Sequence, residues 1–198
     1  TKATGGGAIS ADNFGGTWST LTGPTIQETS PGQLSSGTFR LQAPSGFIWN
    51  TAVTPTAVVT SPKSTKITVV FVSITTSEIQ FSITGNSGGN PKNNPHQIVF
   101  SGIQVRPNQG TPLASGIIKN VGSAAPGGTT SYGDLAMVVG ADNQIRVESA
   151  ANSSGSLIPS QSIEAGQSLT LYANVRDQHG NFKRNQSVSW STENETGG

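Results

Sequence analysis

Hydrophobic and polar residues alternate with a period of two along most of the chain. The clearest example is residues 78–84, where Ile79, Phe81 and Ile83 share one face and polar residues occupy the other. Such alternation is typical of a strand with one buried face. The same pattern, bounded by turns rich in Gly, Pro, Asn and Ser, predicts further strands at residues 17–22, 38–43, 97–100, 103–106, 116–121, 134–139 and 145–148. No segment has a sustained helical period with caps, so we expect minimal helix.

Two further segments qualify this pattern. Residues 66–72 carry apolar side chains on both faces, which predicts a strand covered on both sides. Near the C-terminal end, residues 168–176 place Leu169, Leu171, Ala173 and Val175 on one face, and a turn rich in Gly and Asn follows. The chain as a whole is therefore predicted to be all-β.

Composition narrows the classes of protein that remain. Charged residues make up 11% of the 198 residues, the formal net charge is +1, and the chain contains 25 Gly, 11 Pro and no Cys. Intrinsic disorder usually needs a high net charge, and nucleic-acid binding needs a basic surface to neutralise phosphates. We expect neither. The lack of cysteine excludes a disulfide scaffold and is compatible with export.

The chain is predicted to form two β-sandwich modules in tandem, residues 1–141 and residues 142–198. The first has an ordinary single-domain size. The second is short, because an immunoglobulin-like sandwich takes about 100 residues and seven strands. We therefore expect an incomplete sandwich, to be completed either by further residues of the same polypeptide or by β-strands of another chain.

A family resemblance supports this organisation. Residues 165–181 and 188–190 follow the pattern Ala-Gly … Leu-Thr-x-x-Ala-x-Val-x-Asp-x-x-Gly-Asn … Val-x-Trp. Over roughly residues 143–198 the chain resembles the bacterial immunoglobulin-like (Big) repeats of invasin- and intimin-type surface proteins, in which this pattern recurs module after module. The resemblance implies a structural module with Trp190 pointing inward. Residues 1–142 resemble, more loosely, modules of large repetitive bacterial surface proteins, through the pattern Gly-Thr-Phe-x-Leu-x-Ala-Pro-x-Gly-Phe at residues 37–47.

Candidate catalytic residues are few. Residues 85–89 match the Gly-x-Ser-x-Gly pattern of hydrolase nucleophiles, but the residues that follow them cannot start the helix which that mechanism requires. His96 and His179 lie in polar segments without a second ligand at metal spacing. The carboxylates are scattered along the chain. We therefore expect no enzyme activity and no cofactor.

Calcium binding and glycosylation are two further hypotheses. Asp142, Asp177 and Asn181 could offer oxygen ligands to calcium, although Asx residues that shape turns explain them better. Asn152, Asn185 and Asn194 stand in Asn-x-Ser/Thr sequons. Sequons also arise by chance in a chain this rich in Asn, Ser and Thr.

The aromatic residues raise the possibility of sugar stacking. Trp18 and Trp190 are better explained as core residues, whereas Trp49 beside a turn is the candidate for an exposed stacking platform. A carbohydrate-binding module would require a groove or flat face with at least two exposed aromatic residues.

The sequence thus favours a non-catalytic, extracellular structural module of a bacterial cell-surface adhesin, stalk or filament. One alternative is a self-assembling filament or surface-layer subunit completed by strands of its neighbours. An alternative of another class is the carbohydrate-binding module. Expected partners are neighbouring immunoglobulin-like modules or identical subunits, with surface glycans as a further option. Neither nucleic-acid binding nor direct membrane insertion is expected.

Overall fold

A computed structural model describes residues 1–30, 32–61, 67–86, 95–124 and 131–191, and the structural statements below concern these residues. The chain divides into two compact units, Thr1–Val138 and Val139–Gly198. This division lies three residues before the expected junction. The described residues contain fifteen strands, one short 3-10 helix and no α-helix, which confirms the predicted all-β class.

Unit 1, Thr1–Val138, contains twelve strands and the 3-10 helix Ala11–Asn13. The strands are β1 Ile9–Ser10, β2 Ser19–Thr20, β3 Thr25–Gln27, β4 Ser35–Gln42, β5 Phe47–Trp49, β6 Thr56–Ser61, β7 Ile67–Ile74, β8 Glu78–Asn86, β9 Gln97–Ser101, β10 Gln104–Pro107, β11 Ser115–Asn120 and β12 Gly133–Val138. They form a six-stranded sheet of order β1-β12-β11-β4-β8-β7 and two three-stranded sheets, β2-β10-β5 and β3-β9-β6.

The core of unit 1 lies between these sheets. Phe39 of β4 and Phe81 of β8 face each other in register on the large sheet. Phe100 of β9 packs on both, with ring centroids 4.9 Å from each. Tyr132 meets Phe39 edge to face at 5.1 Å. The alternation along β4 and β8 therefore points one apolar row at the opposing sheet, which defines the two layers of a sandwich.

Strand β7 differs from its prediction. It forms one edge of the six-stranded sheet, and the side chains of Val70 and Val72 are exposed. The expectation that this strand is covered on both sides is wrong. Val and Ile are favoured in strands by their β-propensity even where they are not buried. The sequence pattern alone does not tell whether burial or β-propensity accounts for apolar residues on both faces.

Unit 2, Val139–Gly198, has one sheet among its described residues. Its strands are β13 Gln144–Glu148, β14 Tyr172–Arg176 and β15 Phe182–Asn185, in that order and antiparallel. Ile145 pairs with Val175, and Val147 with Ala173. Paired residues share a face of a sheet, so these four side chains form one apolar face.

Strand β14 is shorter than the predicted strand 168–176. It begins at Tyr172, which pairs with Glu148, the last residue of β13. Beyond that pair the chain of β13 turns away into residues 149–156, where the Ser149 N–H donates to the Ser156 carbonyl. Leu169 and Leu171 therefore continue the apolar alternation of β14 past the end of its partner strand.

Candidate functional site: the apolar shelf of unit 2

The most distinctive surface of unit 2 is an open cavity of about 740 Å³ lined by Leu169, Leu171, Trp190 and Ser191. We call these four residues the apolar shelf. The side chain of Trp190 is 54% exposed and that of Leu169 is 40% exposed. None of the lining residues carries a charge. The shelf thus offers an uncharged, apolar contact surface.

The apolar face of the sheet is open in part, although Ala173 and Val175 on it are buried. Ile145 on β13 is 59% exposed although it lies on the same face as the buried Val175. Leu157, Ile163 and Val188 of unit 2 are exposed as well. Burying an apolar side chain of this size contributes about 1.5–3 kcal/mol to the stability of a fold or complex. Covering these exposed side chains would therefore stabilise unit 2.

Trp190 was expected to point inward, and the structure instead places it on the shelf. In a complete sandwich a second sheet would cover this face. The described residues of unit 2 provide one sheet only. The tryptophan therefore lies on a surface that is more than half exposed, and not inside a core.

The opposite face of the same sheet is buried and polar. The Arg176 guanidinium donates two hydrogen bonds of 2.6 Å to the Glu148 carboxylate, and the side chains of this pair are 8% and 2% exposed. The Asn174 amide donates to Glu148 Oε2 and to the Ala150 carbonyl, each at 2.7 Å. Arg176 Nη1 donates to the Gly180 carbonyl at 2.8 Å. This polar layer is internally satisfied, so it holds unit 2 together without any ligand.

A close loop covers the polar layer. Residues 149–156 fold back over Glu148, and a Cβ added to Gly155 would lie 2.7 Å from both Glu148 Oε2 and the Ala150 carbonyl oxygen. A side chain at this position would collide with the carboxylate or with the backbone. Glycine is therefore required here, because the loop approaches the buried ion pair too closely for any side chain.

The ion pair predicts an acid sensitivity of unit 2. Hydrogen bonds from Arg176 lower the pKa of the Glu148 carboxyl, against the opposing effect of burial. The folded state therefore holds the ionised form more strongly than the unfolded state does. This contribution to stability is present above the ordinary carboxyl pKa of about 4.3 and is lost as the pH falls through the folded-state value.

We expect the urea midpoint of unit 2 to fall steeply below about pH 4. The matched Glu148→Gln variant should have a lower urea midpoint than the unmodified protein at neutral pH. Its midpoint should fall less when the pH is lowered. Urea titrations followed by the NMR signals of Ala173 and Val175 would measure both. Equal pH dependence of the two proteins would contradict this role of Glu148.

The calcium candidates are already engaged. Asp177 Oδ1 accepts backbone N–H groups of His179 and Asn181, each at 2.9 Å, and Oδ2 accepts the Gly140 N–H at 2.9 Å and the Asn181 amide at 2.8 Å. Burial by itself would raise the pKa of Asp177, but the hydrogen bonds from Asn181, Gly140 and His179 lower it overall. Asp177 thereby links the β14–β15 turn to the start of unit 2 through hydrogen bonds.

Asp142 is occupied in a different way. Its carboxylate bonds both Arg184 and Lys183, and their hydrogen bonds hold its pKa well below the usual range. A calcium ion at either carboxylate would have to displace these donors. The described residues contain no group of three or more His, Cys, Asp or Glu side chains that could hold a metal ion.

The sequons differ in their surroundings. Asn152 is exposed, and its Oδ1 accepts the Ser154 N–H and hydroxyl at 2.9 and 2.6 Å. Asn185 is also exposed, but its amide nitrogen donates to the Ala173 carbonyl at 3.2 Å and to Asn174 Oδ1 at 3.0 Å. A sugar on Asn185 would disturb these contacts. Asn194 lies outside the described residues.

The prediction of Trp49 as a stacking platform is wrong. The structure places Trp49 on β5 with its side chain fully buried, paired in register with Val105 of β10. Alternation along β5 turns Phe47 and Trp49 inward. The turn before the strand, which favoured exposure, ends before the alternation begins. Trp18, expected in the core, is instead half-buried beneath Arg106, whose Cζ lies 4.2 Å from the indole centroid.

The histidine that follows the candidate hydrolase segment has a structural role. Residues 87–89 of the Gly-x-Ser-x-Gly pattern lie outside the described residues. His96 is buried, and its Nδ1 lies 3.0 Å from Glu28 Oε2. The same carboxylate accepts the His96 N–H and the Leu34 N–H, each at 2.7 Å. Glu28 therefore joins the end of β3 to the beginnings of β4 and β9.

No sequence signal could have paired Glu28 with His96, or Glu148 with Arg176. Each partner lies in a different strand or strand end, and the pairing becomes visible only when the register β3–β9 or β13–β14 is known. The shelf is different, because the alternation at residues 168–176 and Trp190 already placed its side chains on one face.

None of the helical structure in the described residues is long and apolar enough to cross a membrane. The chain matches no protein-family model, and it matches neither a curated protein nor a solved structure. The features of the molecule itself must therefore support any functional conclusion.

Proposed function

We propose that this protein is a non-catalytic, extracellular structural module of a bacterial cell-surface adhesin, stalk or filament. In this proposal, β-strands from a neighbouring module or an identical subunit complete unit 2. The observation that carries the proposal is the apolar shelf of unit 2, where Trp190 and Leu169 lie exposed on an uncharged surface. An added β-strand pairs with a sheet edge and places alternate side chains in neighbouring pockets, and an apolar shelf can receive such side chains.

Two further features support a structural role. The polar layer around Glu148 and Arg176 has its hydrogen bonds satisfied within unit 2, so it stabilises the sheet without a bound substrate. Low charge and hydroxyl-rich faces, together with the resemblance to bacterial surface repeats, favour the cell surface as the location. The buried position of Trp49 removes the original support for a carbohydrate-binding module.

The solution mass of the purified chain tests the proposal. Light scattering over a concentration series, with negative-stain microscopy, should show concentration-dependent assemblies if identical subunits supply the strands. A monomer with a well-ordered unit 1 and a loosely packed unit 2 would assign the strands to a neighbouring module. A monomer whose unit 2 is as rigid as unit 1 would overturn the proposal, because nothing would remain to be completed.

A further inference from the structure

Strand β7 forms a long edge of the six-stranded sheet in unit 1. It pairs with β8 on one side and has no strand partner on its other side among the described residues. With eight residues it is the longest edge strand of unit 1. Charged residues and proline are two devices by which proteins block a sheet edge against further pairing. Residues 67–74 contain neither, so the edge is not blocked in this way.

The inner face of β7 is fixed against the core. Ile67 is buried, and Val69 and Phe71 pack against the core from the same face. The ring of Phe71 meets the ring of Phe81 edge to face, with the centroids 5.9 Å apart. This packing holds β7 extended without a further partner, which lowers the ordering cost of adding a strand beside it.

The outer face of the same strand carries no charge. Thr68 is exposed, and the side chain of Val70 is 55% exposed. Their neighbours across the sheet, Thr84 and Ser82 of β8, are uncharged as well. The whole chain has a formal net charge of only +1, so two copies repel each other weakly. A second copy that approaches this edge therefore meets no like charge on β7.

A β-bulge limits the stretch of β7 that is regular. The register with β8 runs without a break from Ile67 to Phe71 and shifts between Phe71 and Ser73, so Val72 is left out of the ladder. A bulge bends a strand and interrupts its regular pairing. The regular stretch therefore has Val69 at its centre, and an antiparallel copy of the same stretch matches it along its whole length.

We propose that β7 pairs antiparallel with β7 of a second copy of this chain. In this register Val69 lies opposite Val69 of the second copy, and Thr68 lies opposite Val70. Ile67 lies opposite Phe71, which is the kind of aromatic and β-branched pair that stabilises a sheet. Two-fold symmetry uses both edges in the same contact, so the product is a closed dimer and not a fibre. The completion of unit 2 proposed above concerns a different sheet, and the two associations are independent.

Sedimentation velocity of the whole chain over a concentration series tests this pairing. We expect a dimer. Val70→Lys brings like charges of the two copies close together, and it should weaken the dimer about tenfold or more. Val121→Lys is the matched control, because Val121 is 42% exposed and follows β11, three strands away from β7 in the same sheet. The control should dimerise as the unmodified chain does, and thermal melting checks that both variants are folded.

Disulfide formation tests the register of the pair. The chain has no cysteine, so every disulfide must join two introduced cysteines. Opposite residues of antiparallel strands have Cα atoms about 4.5–5.5 Å apart, a distance that a disulfide can bridge. An equimolar mixture of Thr68→Cys and Val70→Cys should therefore cross-link more completely on mild oxidation than either variant alone.

Trp190→Ser separates this dimer from association through unit 2, because it alters the apolar shelf and leaves β7 unchanged. The β7 dimer should persist in this variant. A monomer at every concentration, equal association of folded Val70→Lys and Val121→Lys, or no excess of the mixed cross-link would overturn the β7 pairing. Association that is lost in Trp190→Ser but kept in Val70→Lys would also overturn it, while supporting the completion of unit 2.

Discussion

Replacing Arg176 by Met is expected to lower the free energy of unfolding of unit 2 by about 3–5 kcal/mol. The substitution leaves the Glu148 carboxylate buried with the Asn174 amide as its remaining side-chain donor among the described residues, and it removes the donor to the Gly180 carbonyl. An unpaired buried charge costs far more than the pair contributes. Since Ala173 and Val175 are the buried apolar residues in the described part of this unit, we expect the variant to lose its folded sheet.

The matched control is Arg184→Met. Arg184 also pairs with a carboxylate, Asp142, but both side chains are nearly half exposed. Exposed pairs contribute about 0–1 kcal/mol, so this variant should remain folded. The double substitution Glu148→Leu with Arg176→Met removes both charges and should recover part of the loss. NMR-monitored urea titration of the unit 2 signals measures all three. Equal destabilisation by Arg176→Met and Arg184→Met would show that the buried layer has no special role.

Replacing Glu28 by Ala is expected to destabilise unit 1 by about 3–5 kcal/mol, because three donors lose their acceptor. These are the Leu34 N–H, the His96 N–H and His96 Nδ1, all in buried surroundings. Each unsatisfied buried group costs about 1–3 kcal/mol. Glu28→Gln keeps one acceptor oxygen and should recover part of the loss.

The comparison for this variant is Glu78→Ala. Glu78 bonds Arg40 through two contacts, but the pair is partly exposed. At this partly exposed site, water can replace the hydrogen bonds that Arg40 loses. We therefore expect Glu78→Ala to lower the free energy of unfolding by about 1 kcal/mol or less. Urea unfolding followed by the fluorescence of the buried Trp49 reports on unit 1. A loss for Glu28→Ala no larger than that for Glu78→Ala would contradict the role of Glu28 as the joint between three strands.

The strands of unit 1 follow from the sequence where alternation is strict and one face is buried. Residues 78–84 are an example, since they form the central part of β8. Prediction was wrong where burial depends on neighbours that the local pattern does not reveal. Val70 and Val72 have the composition of a doubly covered strand but lie on an edge. Trp49 lies beside a turn but points into the core because it alternates with Ile48.

The candidate site was predictable only in part. The shared face of Leu169 and Leu171 follows from a period of two, so the sequence identifies these two of the four residues that line the shelf. The exposure of Trp190 could not be predicted, because it depends on whether a second sheet covers the face. The polar layer could not be predicted from the sequence either. Glu148 and Arg176 are 28 residues apart, and their contact depends on the register of β13 and β14.

Amide hydrogen exchange at the shelf tests the central claim most directly. The account predicts that the amides of residues 169–171 and 188–190 exchange quickly in dilute protein, because they have an apolar pattern but no strand partner, while those of β14 are protected. Addition of concentrated protein or of a neighbouring module should slow them as partner strands cover the face. Strong protection of these amides in a dilute monomer would contradict the account, because the shelf would then already be covered.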